Sequence, residues 1–329
     1  MVFSTVPDVE LKKIHLEGSE YKKKVIVIAG PTGVGKTSLS IKLAQKLNGE
    51  IVSADSMQVY RGMDIGTAKA SDKERALVPH HLIDILDVRD KFNVVDFYHE
   101  AMACLADICH RGKVPIIVGG TGFYLRAILR GPPPGPPSKP ELREKLEEQL
   151  DRVGVQAMYD SLYDLDPSYA STISVNDKQK ILRALEIIAV TGINVSSLPQ
   201  QKDPDEDVYQ YLCYFLTRPR AELHERVEKR CDQMLEMGFL EEVENLAKMG
   251  ILENSSAKEA IGYRQGLEFL DSKRSLEDFG YFKEKFIVAT RKYIKRQITW
   301  FKKEPEFKWV DLCLTSEEAL IAEIVKAVL

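Results

Sequence analysis

The run Val25-Ile26-Val27-Ile28-Ala29-Gly30-Pro31-Thr32-Gly33-Val34-Gly35-Lys36-Thr37 decides the fold. Five apolar residues predict a buried strand, and a helical pattern starts just behind Thr37, so strand, glycine loop and helix follow in that order. Glycines let a loop turn its N–H groups around an anion, and the helix behind aims its positive end at the same point. The G-x-x-x-x-G-K-[ST] spacing assigns Gly30, Pro31, Thr32, Gly33, Val34, Gly35, Lys36 and Thr37 to a diphosphate or polyphosphate. Lys36 would reach the outer phosphate and Thr37 would hold Mg²⁺.

Outward from the loop, Ser38 to Leu47 repeats apolar residues at a helical period and stops at Asn48-Gly49. Glu50 to Ala54 reads as a second strand that delivers Asp55-Ser56 at its C-terminal end, the edge where open parallel sheets bind ligands. Gly62 to Lys73 lacks a period and predicts a surface loop, and Val78 to Ile85 a short strand. A helix from about Val95 to Cys109 leads to a buried strand, Val114 to Val118, which ends in Gly119-Gly120-Thr121-Gly122. The stiff run Gly131-Pro132-Pro133-Pro134-Gly135-Pro136-Pro137 then marks a hinge into a charged, helical segment whose strongest helix is Asp177 to Val190. After a polar linker, Gln200 to Asp207, the strand Val208 to Leu216 returns to the parent sheet. The expected organisation is a leader over 1–22, a discontinuous core of 23–130 plus 205–329, and an inserted helical unit over 131–204. The fold class is α/β, a P-loop NTPase-like parallel sheet flanked by helices.

Composition bounds the alternatives. A chain of 329 residues with 44% hydrophobic content can bury a full α/β core and carry a smaller unit besides. A net charge of −4 requires any nucleic-acid surface to be local. The five cysteines are odd in number and contain no C-x-x-C pair, which argues against a disulfide framework or zinc module and for reduced thiols in a cytoplasmic protein. No apolar run approaches a membrane span, so no membrane partner is expected. The acids Asp8, Glu10, Glu17 and Glu20 do not suit a transit peptide; an organellar location would require one already removed.

Several side chains offer chemistry. The strand Val114 to Val118 lacks the terminal Asp that an ordinary P-loop ATPase uses to support Mg²⁺, which weakens a motor or GTPase reading. Asp55 is placed either to accept a proton as general base or to cap its own turn through an Asx bond. Thr121 could bond a phosphate oxygen, steady Asp55 or simply close a turn. Arg218 and Arg220 precede a helix beginning near Ala221, where an arginine could neutralise a departing diphosphate or face solvent. On that helix Leu223, Val227, Met234 and Leu235 form the apolar stripe, with Arg226, Lys229 and Arg230 on its solvated side. Thr290 to Phe301 forms an acid-free helix whose Arg291, Lys292, Lys295 and Arg296 could follow a nucleic-acid backbone, with Tyr293 and Trp300 available for stacking. His80 and His81 have no partner at metal-ligand spacing and read as structural.

Together the motifs resemble the tRNA dimethylallyltransferases, also called tRNA isopentenyltransferases. The likeness runs through the glycine loop, Asp55 to Lys69, Pro79 to Asp84, Gly119 to Leu125, Asn176-Asp177 and Arg183 to Glu186. It continues through Arg220 to Arg230, Ala260-Ile261-Gly262-Tyr263 and Thr290 to Phe301. The resemblance implies transfer of a dimethylallyl group from dimethylallyl diphosphate to N6 of the adenosine 3′-adjacent to the anticodon, with release of diphosphate. It implies that Asp55 takes the N6 proton, that Lys36, Mg²⁺-bearing Thr37 and Arg220 stabilise the leaving group, and that Thr121 lines the reaction channel. The tRNA anticodon stem-loop would meet Asp55, Ser56, Met57, Gln58 and Thr121, together with Arg143, Gln179, Lys180 and Arg183 of the inserted unit. The basic helix would add Arg291, Lys295 and Arg296, and the protein is expected to act as a monomer.

Three positions depart from the family pattern: Lys180 replaces an arginine, Ser174-Val175 a His-Pro pair, and Ile294 an alanine. A lysine keeps the charge but loses bidentate phosphate geometry. The zinc finger of the nucleo-cytoplasmic eukaryotic members is absent from the sequence, as expected for a bacterial or organellar type. Three rival readings remain. An adenylate isopentenyltransferase of cytokinin synthesis fits less well because Asp55 to Tyr60 and Gly62 to Lys69 follow the tRNA branch. A small-molecule kinase, or a non-catalytic RNA-binding protein, would leave either the basic helix or Asp55, Lys36, Thr37 and Arg220 without a purpose.

Overall fold

Val25, Ile26, Val27, Ile28 and Ala29 are fully buried, as a central parallel strand covered by helices on both faces must be. The computed structural model describes residues 22–199 and 208–329. The expected leader, Lys22 apart, and the linker Gln200 to Asp207 therefore lie outside the described residues. Strand β1 is Lys23–Ala29 and helix α1 is Lys36–Leu47. Asn48 takes the left-handed conformation and returns its N–H to the carbonyl of Ala44, which ends α1 at the Asn-Gly signal.

β2 (Gly49–Ala54), α2 (Asp72–Leu77), β3 (His80–His81), α3 (Val94–His110), β4 (Val114–Gly119) and α4 (Gly122–Arg130) follow. Two expectations change here. The stretch read as loop through Lys73 already contains the start of α2, because Ser71 and Glu74 cap it reciprocally. The strand expected over Val78 to Ile85 shrinks to His80 and His81, since Leu82 and Asp84 take positive φ and lead the backbone off the sheet.

Helices α5 (Pro140–Leu165), α6 (Pro167–Ala170) and α7 (Lys178–Thr191) come next. They bury Leu150, Met158, Leu162, Ile181, Leu182 and Leu185 in a cluster of their own, distinct from the two that cover the sheet. The completely buried Glu186 accepts hydrogen bonds from Ser138 Oγ (2.6 Å) and Lys139 N–H (2.7 Å), which fastens the end of the proline run to α7. The chain then forms β5 (Tyr209–Thr217), α8 (Arg220–Glu236), α9 (Phe239–Met249), α10 (Tyr263–Leu270), α11 (Leu276–Phe301), β6 (Lys308–Asp311) and α12 (Glu317–Val328). The basic helix expected from Thr290 is thus the second half of a longer one capped at Ser275.

All six strands run parallel in the order β3-β2-β4-β1-β5-β6. In register, Gly119 stands between Ala29 and Ala54. The glycine loop, the Asp55 turn and the Gly120-Thr121 turn therefore leave the sheet at one level, on its C-terminal edge. No helix among the described residues is long and apolar enough to cross a membrane.

Candidate active site

Lys36, at the start of α1, folds back over the glycine loop and donates to the carbonyls of Gly30 (2.8 Å) and Pro31 (3.0 Å). Gly35, the residue before α1, holds φ at 114°, a conformation that side-chain-bearing residues rarely adopt. Burial pushes the Lys36 ammonium down to about 8; the Arg230 guanidinium presses the same way and the Asp55 carboxylate opposes it. Two more cations fix the loop from α8 and the turn before it. Arg226 Nε donates to Gly33 O (2.7 Å) and Arg218 Nε to Val34 O (3.1 Å). A cavity of about 410 Å³ opens beside the loop, lined by Lys36, Thr37, Asp55, Arg226, Lys229 and Arg230 among others. The side of α8 read as solvated is therefore turned toward the glycine loop. Periodicity finds the apolar face of a helix and says nothing of what its polar face meets.

Asp55 follows β2 directly. Its Oδ1 accepts the N–H groups of Met57 (2.9 Å) and Gln58 (3.3 Å), the Asx turn that the sequence allowed. Its Oδ2 accepts no hydrogen bond among the described residues, and Asp55 lines the cavity. Capping uses one oxygen and leaves the other, so the Asx turn does not rule out a proton-accepting role for Asp55. A second cavity of about 320 Å³ meets the first, and both are lined by Thr32, Asp55, Thr67, Arg230 and Tyr293. The second is half apolar, with Met57, Val227, Met234, Tyr263 and Phe286 in its wall, and it extends to Arg296.

Thr121 accepts the Ser56 N–H through Oγ1 (3.3 Å) and lies beside the Tyr293 hydroxyl. It braces the residue after Asp55 and is not itself among the residues lining either cavity. Burial, reinforced by the Asp55 charge, pushes the Tyr293 phenol up, so it stays neutral. Gln58 is held at both ends: Oε1 accepts from Ser53 Oγ (2.9 Å) and Nε2 donates to Thr67 O (3.2 Å). The Thr67 loop is itself anchored by Glu242 of α9. That carboxylate accepts the N–H groups of Asp64 (3.1 Å), Ile65 (2.7 Å) and Gly66 (3.1 Å), and the Tyr263 hydroxyl (2.7 Å).

The remaining expected residues are more scattered. Arg220 is exposed at the first position of α8, its Nε 3.4 Å from His224 Nε2, and is absent from both cavity walls. The guanidinium that reaches the walls of both cavities is Arg230. Arg143 pairs with Glu147 and donates to Gln179 (2.5 Å), while Arg183 is drawn to Glu186 and the Pro136 carbonyl. Lys180 bridges to Asp177. On α11, Arg291 forms an ion pair with Glu228 of α8, whereas Lys295 and Arg296 are exposed. His81 Nε2 meets the buried Glu50 (2.7 Å) and His80 Nδ1 lies 2.8 Å from Val78 O, both local ties within the fold. Sequence reading missed Arg230, Glu242 and Gln297. Only Arg230 left a signal, one helical turn from Arg226 on a charged face.

The family model described as IPP transferase matches residues 58–304, and one described as isopentenyl transferase matches residues 23–81. The chain is 53% identical to the tRNA dimethylallyltransferase of Protochlamydia amoebophila, over 96% of this chain and 92% of that one. It is 50% identical to the protein of the same name from Chlamydia muridarum, over 88% and 92% of the two chains. The chain belongs to the tRNA dimethylallyltransferase family. Among solved structures, the tRNA isopentenylpyrophosphate transferase of Bacillus halodurans matches with a TM-score of 0.68 at 39% identity, over 93% of this chain and 96% of that one. A eukaryotic dimethylallyltransferase described as acting on tRNA matches with a TM-score of 0.73 at 32% identity, over 88% and 74%.

Proposed function

We propose that this dimethylallyltransferase transfers the dimethylallyl group of dimethylallyl diphosphate to N6 of the adenosine 3′-adjacent to the anticodon of tRNA. The carrying observation is that a cation-lined chamber and a half-apolar chamber share Asp55 in their walls, and that its Oδ2 accepts no hydrogen bond among the described residues. The diphosphate sits against the glycine loop, with Lys36, Arg226 and Arg230 on its charge. The adenine leaves its stack and enters through the second chamber. Gln58, which lines the first chamber and has its amide fixed by Ser53 and Thr67, offers one donor and one acceptor to the base edge as it reaches Asp55. A bond forms between N6 and the allylic carbon while the carbon–oxygen bond to diphosphate breaks, the leaving oxygen keeping the electron pair. Asp55 Oδ2 takes the N6 proton. Thr121, through the Ser56 N–H, keeps the reacting edge in place. Arg220 is assigned to the outer rim of the leaving-group side.

Mg²⁺ fits this donor set. Thr37 brings a hard hydroxyl oxygen to the chamber wall, the sparse protein ligation typical of an ion that shares its shell with substrate phosphates and water. When bound, the ion would neutralise charge on the diphosphate. Residues 131–204 are assigned to tRNA contact through Arg143, Gln179, Lys180 and Arg183, and the core to 23–130 plus 205–329, in a monomer.

The test is incubation with labelled dimethylallyl diphosphate and Mg²⁺, offering unmodified tRNA, AMP and ATP in parallel, followed by nucleoside analysis. Label in tRNA as N6-dimethylallyladenosine is the expected result. Label confined to AMP or ATP would make the protein a cytokinin-forming adenylate isopentenyltransferase. No label, with ATP consumed, would make it a kinase.

A further inference from the structure

Gln297 is a glutamine only 5% exposed on α11, and both ends of its amide reach across the site. Its Oε1 accepts the Thr32 N–H of the glycine loop (3.0 Å), and its Nε2 donates to the Gly120 carbonyl beyond β4 (3.0 Å). It also lines the cation-lined chamber. A Cβ on residue 120 would fall 2.2 Å from that Nε2, so the glycine there makes room for the amide. One helical turn earlier on the same helix, Tyr293 lines both chambers. A single helix thereby holds both the loop assigned to the leaving group and the turn that braces Asp55.

We propose that Gln297 is a positioning residue that sets the spacing between the diphosphate loop and the Gly120-Thr121 turn, and so between the leaving group and the attacking nitrogen. The inference rests on the transfer reading given above. A buried amide satisfied at both ends has one rotamer that meets both partners, which makes it a spacer of fixed length. Transfer between two bound groups is sensitive to such spacing, since a misplacement of about 1 Å can cost about a hundredfold in rate. A group serving only to fill space would not need polar partners on two separate loops.

Three variants test this. Gln297→Leu removes both bonds, Gln297→Glu keeps the acceptor for Thr32 but sets a second acceptor against the Gly120 carbonyl, and Gln297→Asn keeps the amide while falling one carbon short. The expected result is a fall in kcat of about ten- to a hundredfold in each. Affinity for tRNA and the thermal midpoint of at least the Asn variant should stay close to wild type. Inorganic diphosphate, titrated calorimetrically, should bind several-fold more weakly. The inference is overturned by kcat and diphosphate affinity within twofold of wild type, or by losses that track tRNA affinity and thermal stability in proportion. A wild-type protein that labels no tRNA would sink the transfer reading instead, and the diphosphate titration would still decide whether Gln297 holds the loop.

Discussion

Asp55 gives one oxygen to structure and leaves the other without a hydrogen bond among the described residues, and the proton-accepting role proposed for that second oxygen can be measured. Asp55→Asn retains an oxygen for the Met57 and Gln58 N–H groups but removes the basic one. Transfer should fall by about 10²–10⁴-fold, with tRNA affinity and thermal midpoint unchanged. Asp55→Ala should lose the same activity and also about 1 kcal/mol of stability, because the Asx turn goes with it. Single-turnover transfer and thermal melts of the two variants check this, and a wild-type rate in Asp55→Asn would place the base elsewhere. Lys36 makes a second prediction. Its ammonium titrates near 8 in the free site, below the ordinary 10.5, because burial and Arg230 disfavour the charge. A bound diphosphate restores the proton, so binding should take up about half a proton at about pH 8 and close to one near about pH 9. The sign follows: affinity for the diphosphate should weaken as pH rises through about 8. Calorimetry in buffers of different ionisation enthalpy reads the uptake directly, and none at that pH would mean that Lys36 is charged before the ligand arrives.

At the scale of elements, the two long helices over the site were legible to different degrees. The strands, the Asn48 stop of α1 and the glycine loop could be read because local chemistry dictates them. The apolar stripe of α8 was equally legible, yet its cationic side was misread, since only tertiary contact reveals that Arg226 and Arg230 face the glycine loop. Gln297 left no trace at all in an otherwise basic stretch, because its meaning lies in two loops that are 177 and 265 residues away along the chain. The basic face of α11 shows the same gap. Arg291 looks equivalent to Lys295 and Arg296 in sequence, but the Glu228 carboxylate already neutralises it. Replacing Lys295 and Arg296 together by Ala should therefore reduce the slope of log K against log salt by about 1.4 units, two contacts at about 0.7 each for a single-stranded loop. Arg291→Ala alone should leave that slope nearly unchanged. Titrations of a fluorescent anticodon stem-loop at several salt concentrations separate the two, and equal effects would show that the ion pair opens on binding.

For the whole molecule, the parallel order β3-β2-β4-β1-β5-β6 brings three loop starts to one edge, while the helices α5 to α7 close a core of their own. The proline run announced that change of architecture in the sequence, because stiff extended geometry cannot continue a helix. What the run could not announce is how the unit is fastened, which falls to Glu186 holding Ser138 and Lys139. Separate cores predict separable functions. Leu162 is completely buried in the small cluster, and Leu162→Ala should cost about 2–5 kcal/mol there through lost burial and the cavity left behind. None of its cluster neighbours lines the cation-lined chamber. Diphosphate affinity should therefore hold at wild type while KM for tRNA rises and hydrogen exchange across α5 and α7 accelerates. Exchange that instead accelerated equally through β1 and β4 would show the two cores to be one cooperative unit, and would remove the assignment of tRNA contact to an independently loosened domain.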